Sequence, residues 1–489
     1  MQTAHAISAW QERIAARTPL GPQQLAVFLL VTPFLILGAS GWTAHFAFAN
    51  STIVKYLLTI AAPLGLAAFA LVPQPFLVLV AAVVLAAPAA TLEVSFSGVS
   101  LTAIAATCLL AAVPVVLGLT RPVGTSALGR VLPVSIALAI IPMAHGVRIG
   151  ETVTVAVTAL AVAFLCARAI RQRGGLAVVL LSTLGSLLLQ AVLAIWEYRT
   201  RKEFDLYSGS ASATATNYFF DYQSQPRPTG TFSDPISLAT ALAVAIPIGL
   251  AMLHLLLQRH RWLPASAVGI AIALIGLGLA LSLSRMATIG AAISLVVVIA
   301  LVPRWSRLRM AQIVGGALAT LLIGALVVGG PSLIERLSSI SDPTATGVAT
   351  ADGDRDRLFY WSVAAETGLE HPIAGVGAGH LNEILIADAP DAGVHTHAHS
   401  AYLQIFAEGG LLGLASLALL AFGLLVDLRR AHAHRPTLTS GLAGAVVALA
   451  VAGVTDVVTI KYVAVAATVA PILGMIVGLA GRGIDERDN

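Results

Sequence analysis

Apolar runs close to twenty residues long recur along almost the whole chain. Each can cross a hydrocarbon core of roughly 30 Å as a helix. Lipid offers the backbone no hydrogen-bond partners, so spans of this kind fold as helices. The predicted fold class is therefore an all-α polytopic membrane protein. Composition agrees: 57% of the 489 residues are hydrophobic and only 11% charged, too little charge to cover a soluble surface. Many glycines and alanines within the runs suit close helix packing. Cys108 and Cys166 both fall inside predicted spans, and nothing suggests a disulfide or a metal site built on them.

Spans are expected near 25–41, 53–72, 75–90, 99–119, 130–145, 152–168, 175–196, 234–256, 263–282, 286–302, 311–329, 410–427, 439–455 and 462–480. That is about fourteen, which puts both termini on one side. Arg13 and Arg17, Arg121 and Arg130, Arg168, Arg171 and Arg173, Arg259 and Arg261, Arg304, Arg307 and Arg309, and Arg429, Arg430 and Arg435 then share a side with the tail arginines Arg482 and Arg487. The positive-inside rule makes that side cytoplasmic. Five regions follow: a cytoplasmic amphipathic N-terminus (1–24), transmembrane helices (25–329) with an outward loop at 197–233, a large outward loop (330–409), C-terminal transmembrane helices (410–480) and a cytoplasmic tail (481–489). Ile7, Trp10 and Ile14 at helical spacing beside Arg13 and Arg17 suggest an interfacial helix rather than a cleaved signal. Ser208–Thr216 and Asp342–Asp356 read as flexible outward segments.

The large loop holds most of the chemistry. From Arg357 to Glu370 the pattern is helical, with Leu358, Trp361, Ala365 and Leu369 on one face. Asp354 or Asp356 would cap the first turn and His371-Pro372 would end it. Arg355 and Arg357 then sit at the start of the helix, where backbone N–H groups also favour anions, and a guanidinium fork suits phosphate. Either arginine alone is as well explained by solvent or lipid headgroups. Gly375-Val-Gly-Ala-Gly379 lacks the strand–helix context of a nucleotide site, so a tight turn passing close to another helix is the better reading.

His395, His397 and His399 alternate. On a strand they would present three imidazoles on one face, a zinc-like set; the stronger reading makes one of them a general base working near neutral pH. Asp352, Asp354 and Asp356 also alternate but lack the remaining features of a calcium loop. Helical spacing from Ala398 brings in Tyr402, Ile405 and Phe406. If that helix is unbroken, His399 stands about 16 Å along the axis from Gly410. Arg285, in Leu281-Ser-Leu-Ser-Arg-Met-Ala287, sits at the outer mouth between two spans, where a charge is costly and usually functional. Arg227 precedes another span, and Arg199, Arg201 and Lys202 extend the seventh outward. Cations converging on one membrane face favour a polyanionic ligand.

Taken together, four segments carry a resemblance. Gly230-Thr-Phe-Ser-Asp-Pro-Ile-Ser-Leu-Ala239, Ser282-Leu-Ser-Arg285, Arg357 with Trp361 and His371-Pro-Ile-Ala-Gly-Val-Gly-Ala-Gly379, and His399-Ser-Ala-Tyr-Leu-Gln-Ile-Phe-Ala-Glu-Gly-Gly-Leu-Leu-Gly413 resemble, in order, motifs of the O-antigen ligase and polymerase superfamily. The resemblance covers residues 228–427. It implies a GT-C-like membrane glycosyltransferase of the bacterial inner membrane, with its large loop periplasmic. The donor would be a glycan on undecaprenyl pyrophosphate, and the acceptor a hydroxyl of another glycan or of lipid A-core. No metal, cofactor or nucleic acid is implied; a flippase and a chain-length regulator are implied as partners, beside membrane lipids. By carry-over His399 is the base, and Arg285 and Arg357 hold the pyrophosphate, while Arg227, Arg355, His397 and Tyr402 contact substrate. Ser400 departs from the asparagine more common there, and His395 and His397 leave the identity of the base open. About fourteen spans exceed the twelve of typical ligases and lean toward a polymerase. A flippase for the same lipid-linked glycan is the main alternative. Its coupling would need a carboxylate inside a span, whereas Glu93, Glu151, Glu197, Asp427 and Asp456 fall near span ends. A scaffolding subunit of an assembly complex is a third reading.

Overall fold

A computed structural model describes residues 75–89, 93–96, 99–116, 120, 123, 125–143, 146–147, 149–202, 227–303, 306–316, 348–388 and 397–485. The amphipathic N-terminus, the spans expected at 25–41 and 53–72, the segment Ser208–Thr216, most of the span at 311–329 and His395 lie outside these residues. Among them run α1 (Pro75–Ala86), α2 (Ala103–Val116), α3 (Ala127–Met143), α4 (Ile149–Ile170), α5 (Gly175–Thr200), α6 (Pro235–Gln258), α7 (Trp262–Leu281) and α8 (Arg285–Leu301). After the undescribed stretch come α9 (Val348–Glu370), α10 (His380–Asp388), α11 (Ala401–His434), α12 (Pro436–Thr455), the short α13 (Val458–Lys461) and α14 (Val463–Asp485). Seven of the described helices are long and apolar enough to cross a membrane, and α1, α3 and α8 are shorter apolar helices.

Among the described residues the fold is helical except for an antiparallel hairpin, β1 (Glu93–Phe96) and β2 (Val99–Thr102), with Glu93 opposite Thr102. Polar and apolar residues alternate there with period two, which favours strand over helix. The span expected at 99–119 therefore becomes helical only from Ala103.

α6 and α14 are buried along most of their length, whereas α11 is largely exposed to the surroundings. α14 packs on α4, α11 on α3, α12 on both α6 and α8, and α7 on α5 and α6. Small residues bring the axes together: a Cβ on Gly474 would stand 2.5 Å from the Ala163 carbonyl, and one on Gly444 3.0 Å from that of Ser294. Such close approach is how helices gain packing energy in lipid.

Helix direction alternates so that the ends at Thr200, Pro235, Leu281, Arg285 and Thr455 gather at one end of the bundle. Arg171, Arg173, Arg259, Arg261, Arg429, Arg430 and Arg435 stand at the other. At that arginine-bearing end the fully buried Asp427 accepts from the N–H groups of Ala127 and Leu128, at 2.8 and 3.0 Å, and so caps α3.

The junction expected between loop and span at Gly409-Gly410 is a kink inside one helix. Gly410 has φ 56° and ψ −151°, so α11 is not the unbroken rod from which the 16 Å separation was reckoned. The kink interrupts the helical ladder, and the turn segment Pro372–Gly377 fills the gap. Leu411 and Leu412 N–H donate to the carbonyls of Pro372 and Ile373 at 2.8 and 3.1 Å. Val376 and Gly377 N–H donate to Ala407 and Glu408 carbonyls at 2.9 and 3.0 Å. The glycine run is thus a tight turn against another helix, as its sequence suggests. A Cβ on Gly375 (φ 66°) would lie 2.3 Å from the Glu408 carbonyl carbon. We expect Gly375→Ala to separate this segment from α11 and lower the thermal midpoint by several degrees, roughly a 2 kcal/mol or larger loss; differential scanning fluorimetry in detergent measures it. An unchanged midpoint would mean that the contact contributes nothing to stability.

Candidate functional site

Two connections build the first wall. Gly230 turns the chain at φ 60°, and Asp234 caps α6 through the N–H groups of Ile236 and Ser237. Behind this turn the fully buried Glu197 carboxylate accepts from Thr229 and Gly230 N–H at 2.9 and 2.8 Å. Gln190 accepts from the Thr231 N–H and hydroxyl at 2.9 and 3.1 Å. Sequence reasoning placed Glu197 near a span end and gave neither residue a role; a carboxylate and an amide on one face of an apolar helix are the available signal. We expect Glu197→Ala to orphan two buried N–H groups, at a cost of about 1–3 kcal/mol each, and so to lower both the thermal midpoint and activity. Wild-type melting of that variant would contradict the role.

The held turn presents Arg227, whose Nε donates to the Ser282 carbonyl at 3.4 Å. Ser282 belongs to the connection between α7 and α8. Its hydroxyl donates to the Leu279 carbonyl at 2.6 Å, and Leu283 adopts φ 58°, a left-handed conformation unfavourable for a leucine. Ser284 is the extended residue before α8, and Arg285 opens that helix, exposed. The positive end of the α8 dipole adds to its guanidinium charge. The serine–arginine motif is therefore a strained turn that projects a cation from the end of the bundle.

The second wall carries the histidines. His399 has φ 49°, which is uncommon outside glycine and costs on the order of 1–2 kcal/mol. Several contacts enforce it. Trp361 Nε1 donates to the His399 carbonyl at 3.2 Å. Ser400 caps α11 through Leu403 N–H. Ala401 N–H donates to the Asp456 carbonyl at 3.1 Å, and Ala398 N–H to Gln404 Oε1 at 2.8 Å. Gln404 Nε2 in turn donates to Glu408 Oε1, which also accepts from Gly379 N–H. The serine after the histidine is thus a helix cap, a duty that asparagine performs equally well.

The His397 and His399 rings lie 4.3 Å apart between centroids, and the ring of buried Tyr360 lies 5.7 Å from that of His399. Asp456 ends α12 and is buried. One ligand-capable atom from each of His397, His399 and Asp456 lies within 4.8 Å of the other two. Lys461 Nζ stands 3.3 Å from His397 Nδ1. Among the described residues, two of the three histidines meet a carboxylate and a lysine from distant segments. Tyr360, Asp456 and Lys461 were not picked out as site residues. Lys461 had one visible signal, a lysine on the side opposite the arginine-rich loops.

α9 supplies the third wall, with two differences from expectation. It starts at Val348, because no proline interrupts the preceding residues, and so Arg355 and Arg357 lie well inside the helix rather than at its start. Asp354 and Asp356 are likewise inside and cannot cap it, and the segment read as flexible is helical from Val348 onward. The buried face is also not the expected one: Tyr360, Ala364 and Thr367 point inward, while Leu358 and Leu369 are exposed. Apolar residues facing out of the protein suit a helix at a lipid surface. Arg357 is half-buried and stands one turn before Trp361, on the side of α9 that reaches His399. The Arg355 side chain lies outside the described set. Tyr402 is turned toward α12, its hydroxyl donating to the Ala450 carbonyl at 2.8 Å.

Helix register relates these walls. In the antiparallel α8–α12 pair Gly290 faces Ala448 and Gly444 faces Ser294, which carries Arg285 level with Gly453–Asp456. Asp456 is bonded to the segment after His399, so Arg285, Arg227 and the histidine pair share one end of the bundle. A base beside a carboxylate, with guanidinium groups on the same rim, can take a proton from a hydroxyl and neutralise an anionic leaving group.

No curated protein is similar enough to match this chain. Residues 270–418 match the family model described as O-antigen ligase, a stretch that includes Arg285, Arg357, the glycine turn and His399 and stops short of Arg227, Asp456 and Lys461. The segment from the middle of α7 into α11, less than half of the chain, is therefore similar to the O-antigen ligase family.

Proposed function

We propose that the protein transfers a glycan from undecaprenyl pyrophosphate to a hydroxyl acceptor at the outer face of the inner membrane. The glycine turn, the histidine segment and Arg285 would face the periplasm, and the arginine-bearing end of the bundle the cytoplasm. The observation that carries this reading is His399, held left-handed beside Asp456 at the end of the bundle that also bears Arg227 and Arg285. Strain retained at a residue by surrounding contacts points toward function.

In the proposed reaction the acceptor oxygen attacks the anomeric carbon while the bond from that carbon to the pyrophosphate oxygen breaks. The acceptor proton passes to His399, and the bonding electron pair leaves with the pyrophosphate. Asp456 steadies the imidazolium that forms. Arg285 and Arg357 meet the charge developing on the leaving group, with Arg227 reinforcing Arg285. No covalent intermediate is formed, so the anomeric configuration inverts. A bundle end against lipid suits this donor, whose polyprenyl tail stays in the bilayer while its head reaches the rim. Arg355, His397 and Tyr402 are the proposed further contacts.

Three of the five carboxylates that a coupled transporter could use already accept from backbone N–H groups. Asp427 caps α3, Glu197 holds the Thr229–Gly230 turn and Asp456 accepts from Val457 N–H. That supports transfer over ion-coupled flipping. A deletion strain separates the two acceptors: unextended lipid-linked repeat units mark a polymerase, and bare lipid A-core a ligase. Accumulation of neither would overturn the proposal.

A further inference from the structure

We propose that His397, His399 and Asp456 form a site for one zinc-class divalent ion, and that its occupancy stops the transfer reaction. Inhibition rests on the reading of His399 as the base; binding of the ion does not. Two imidazole nitrogens and a carboxylate oxygen are a set that zinc takes in three-residue sites with an open fourth position. Their ligand-capable atoms lie within 4.8 Å of one another. Ligands at about 2.0–2.1 Å from one ion stand roughly 3.4 Å apart, so the three side chains must draw together around it.

The backbone is already fixed for this purpose. Asp456 Oδ1 accepts from Val457 N–H at 2.7 Å, and the Asp456 carbonyl is bonded to Ala401 N–H. The His399 carbonyl is held by Trp361. Hydrogen bonds that restrain the groups around a metal ligand orient it and raise affinity. Magnesium and calcium, which prefer all-oxygen shells, fit two imidazoles poorly. An ion on the His399 nitrogen would occupy the lone pair that accepts the acceptor's proton.

Lys461 guards the site. Its ammonium lies 3.3 Å from His397 Nδ1, where it repels a dication and competes for that nitrogen. Zinc affinity should therefore be moderate in the wild type and rise when this charge is removed.

The test titrates zinc chloride into tag-free, full-length protein in nanodiscs by calorimetry, with cobalt absorption reporting coordination. The expected result is one ion per chain, with affinity falling at least about tenfold in His397→Ala and in Asp456→Asn. Lys461→Gln should tighten binding by about tenfold, a gain that misfolding cannot produce. Zinc at saturation should abolish transfer and a chelator restore it. Zinc binding that survives both ligand substitutions, or a folded wild type that binds none, overturns the proposal. If the ion binds with this dependence but metal-free protein transfers no glycan, the ion site stands and the transferase reading falls.

Discussion

Replacing His399 by asparagine is expected to lower glycan transfer by about 10²–10⁴-fold while leaving the thermal midpoint near that of the wild type. Asparagine is chosen because it tolerates the left-handed conformation that His399 adopts at φ 49°. The Trp361 bond to the residue-399 carbonyl and the Ser400 cap then survive, and only the imidazole is lost. His399→Ala should lose as much activity and also destabilise, since alanine meets the same backbone strain without asparagine's local hydrogen bonding. Comparison of the two separates the base from the backbone. His397→Asn is the control for the neighbouring ring, 4.3 Å away. If it abolishes transfer while His399→Asn does not, the base has been assigned to the wrong histidine.

Arg285→Ala carries the second large effect, a loss of about 10²–10³-fold expressed mainly in kcat. The charge on the departing pyrophosphate is greatest in the transition state, so its stabilisation is withdrawn there more than in the bound ground state. Arg285→Lys should recover part of the loss, because an ammonium keeps the charge but not the planar fork. Arg227 reaches the same turn through the Ser282 carbonyl at 3.4 Å, so the double variant Arg227→Ala/Arg285→Ala should lose less than the product of the single losses. A fall in affinity alone, at unchanged kcat, would make Arg285 a docking residue.

The residues that were legible in the sequence are those whose chemistry is local. Apolar run length revealed α4 to α7 and α12 because lipid leaves a backbone no alternative to a helix. Proline after His371 fixed the end of α9, and the glycine run announced a close passage. Arg285 and His399 stood out as costly or clustered polar groups in an apolar chain. Two kinds of feature were hidden. The kink at Gly410 and the inward face of α9 depend on partners brought in by folding, the Pro372–Gly377 segment for one and the histidine segment for the other. Asp456 and Lys461 are likewise separated from His399 by the whole of α11 and α12, and only the antiparallel return of α12 brings them beside it. The hairpin at Glu93–Thr102 was missed because its alternation lies next to an apolar run that dominates any window of helical length.

Reconstitution of the purified protein in nanodiscs with a lipid-linked glycan from its own host tests the central claim most directly. Wild type, His399→Asn and Arg285→Ala would be compared at matched folding. The account predicts lengthened glycan, or glycan joined to lipid A-core, with one undecaprenyl pyrophosphate released per transfer and both lost in the two variants. Equal product from all three would contradict the site. Movement of the intact lipid-linked glycan across the bilayer without release of undecaprenyl pyrophosphate would contradict the transferase itself.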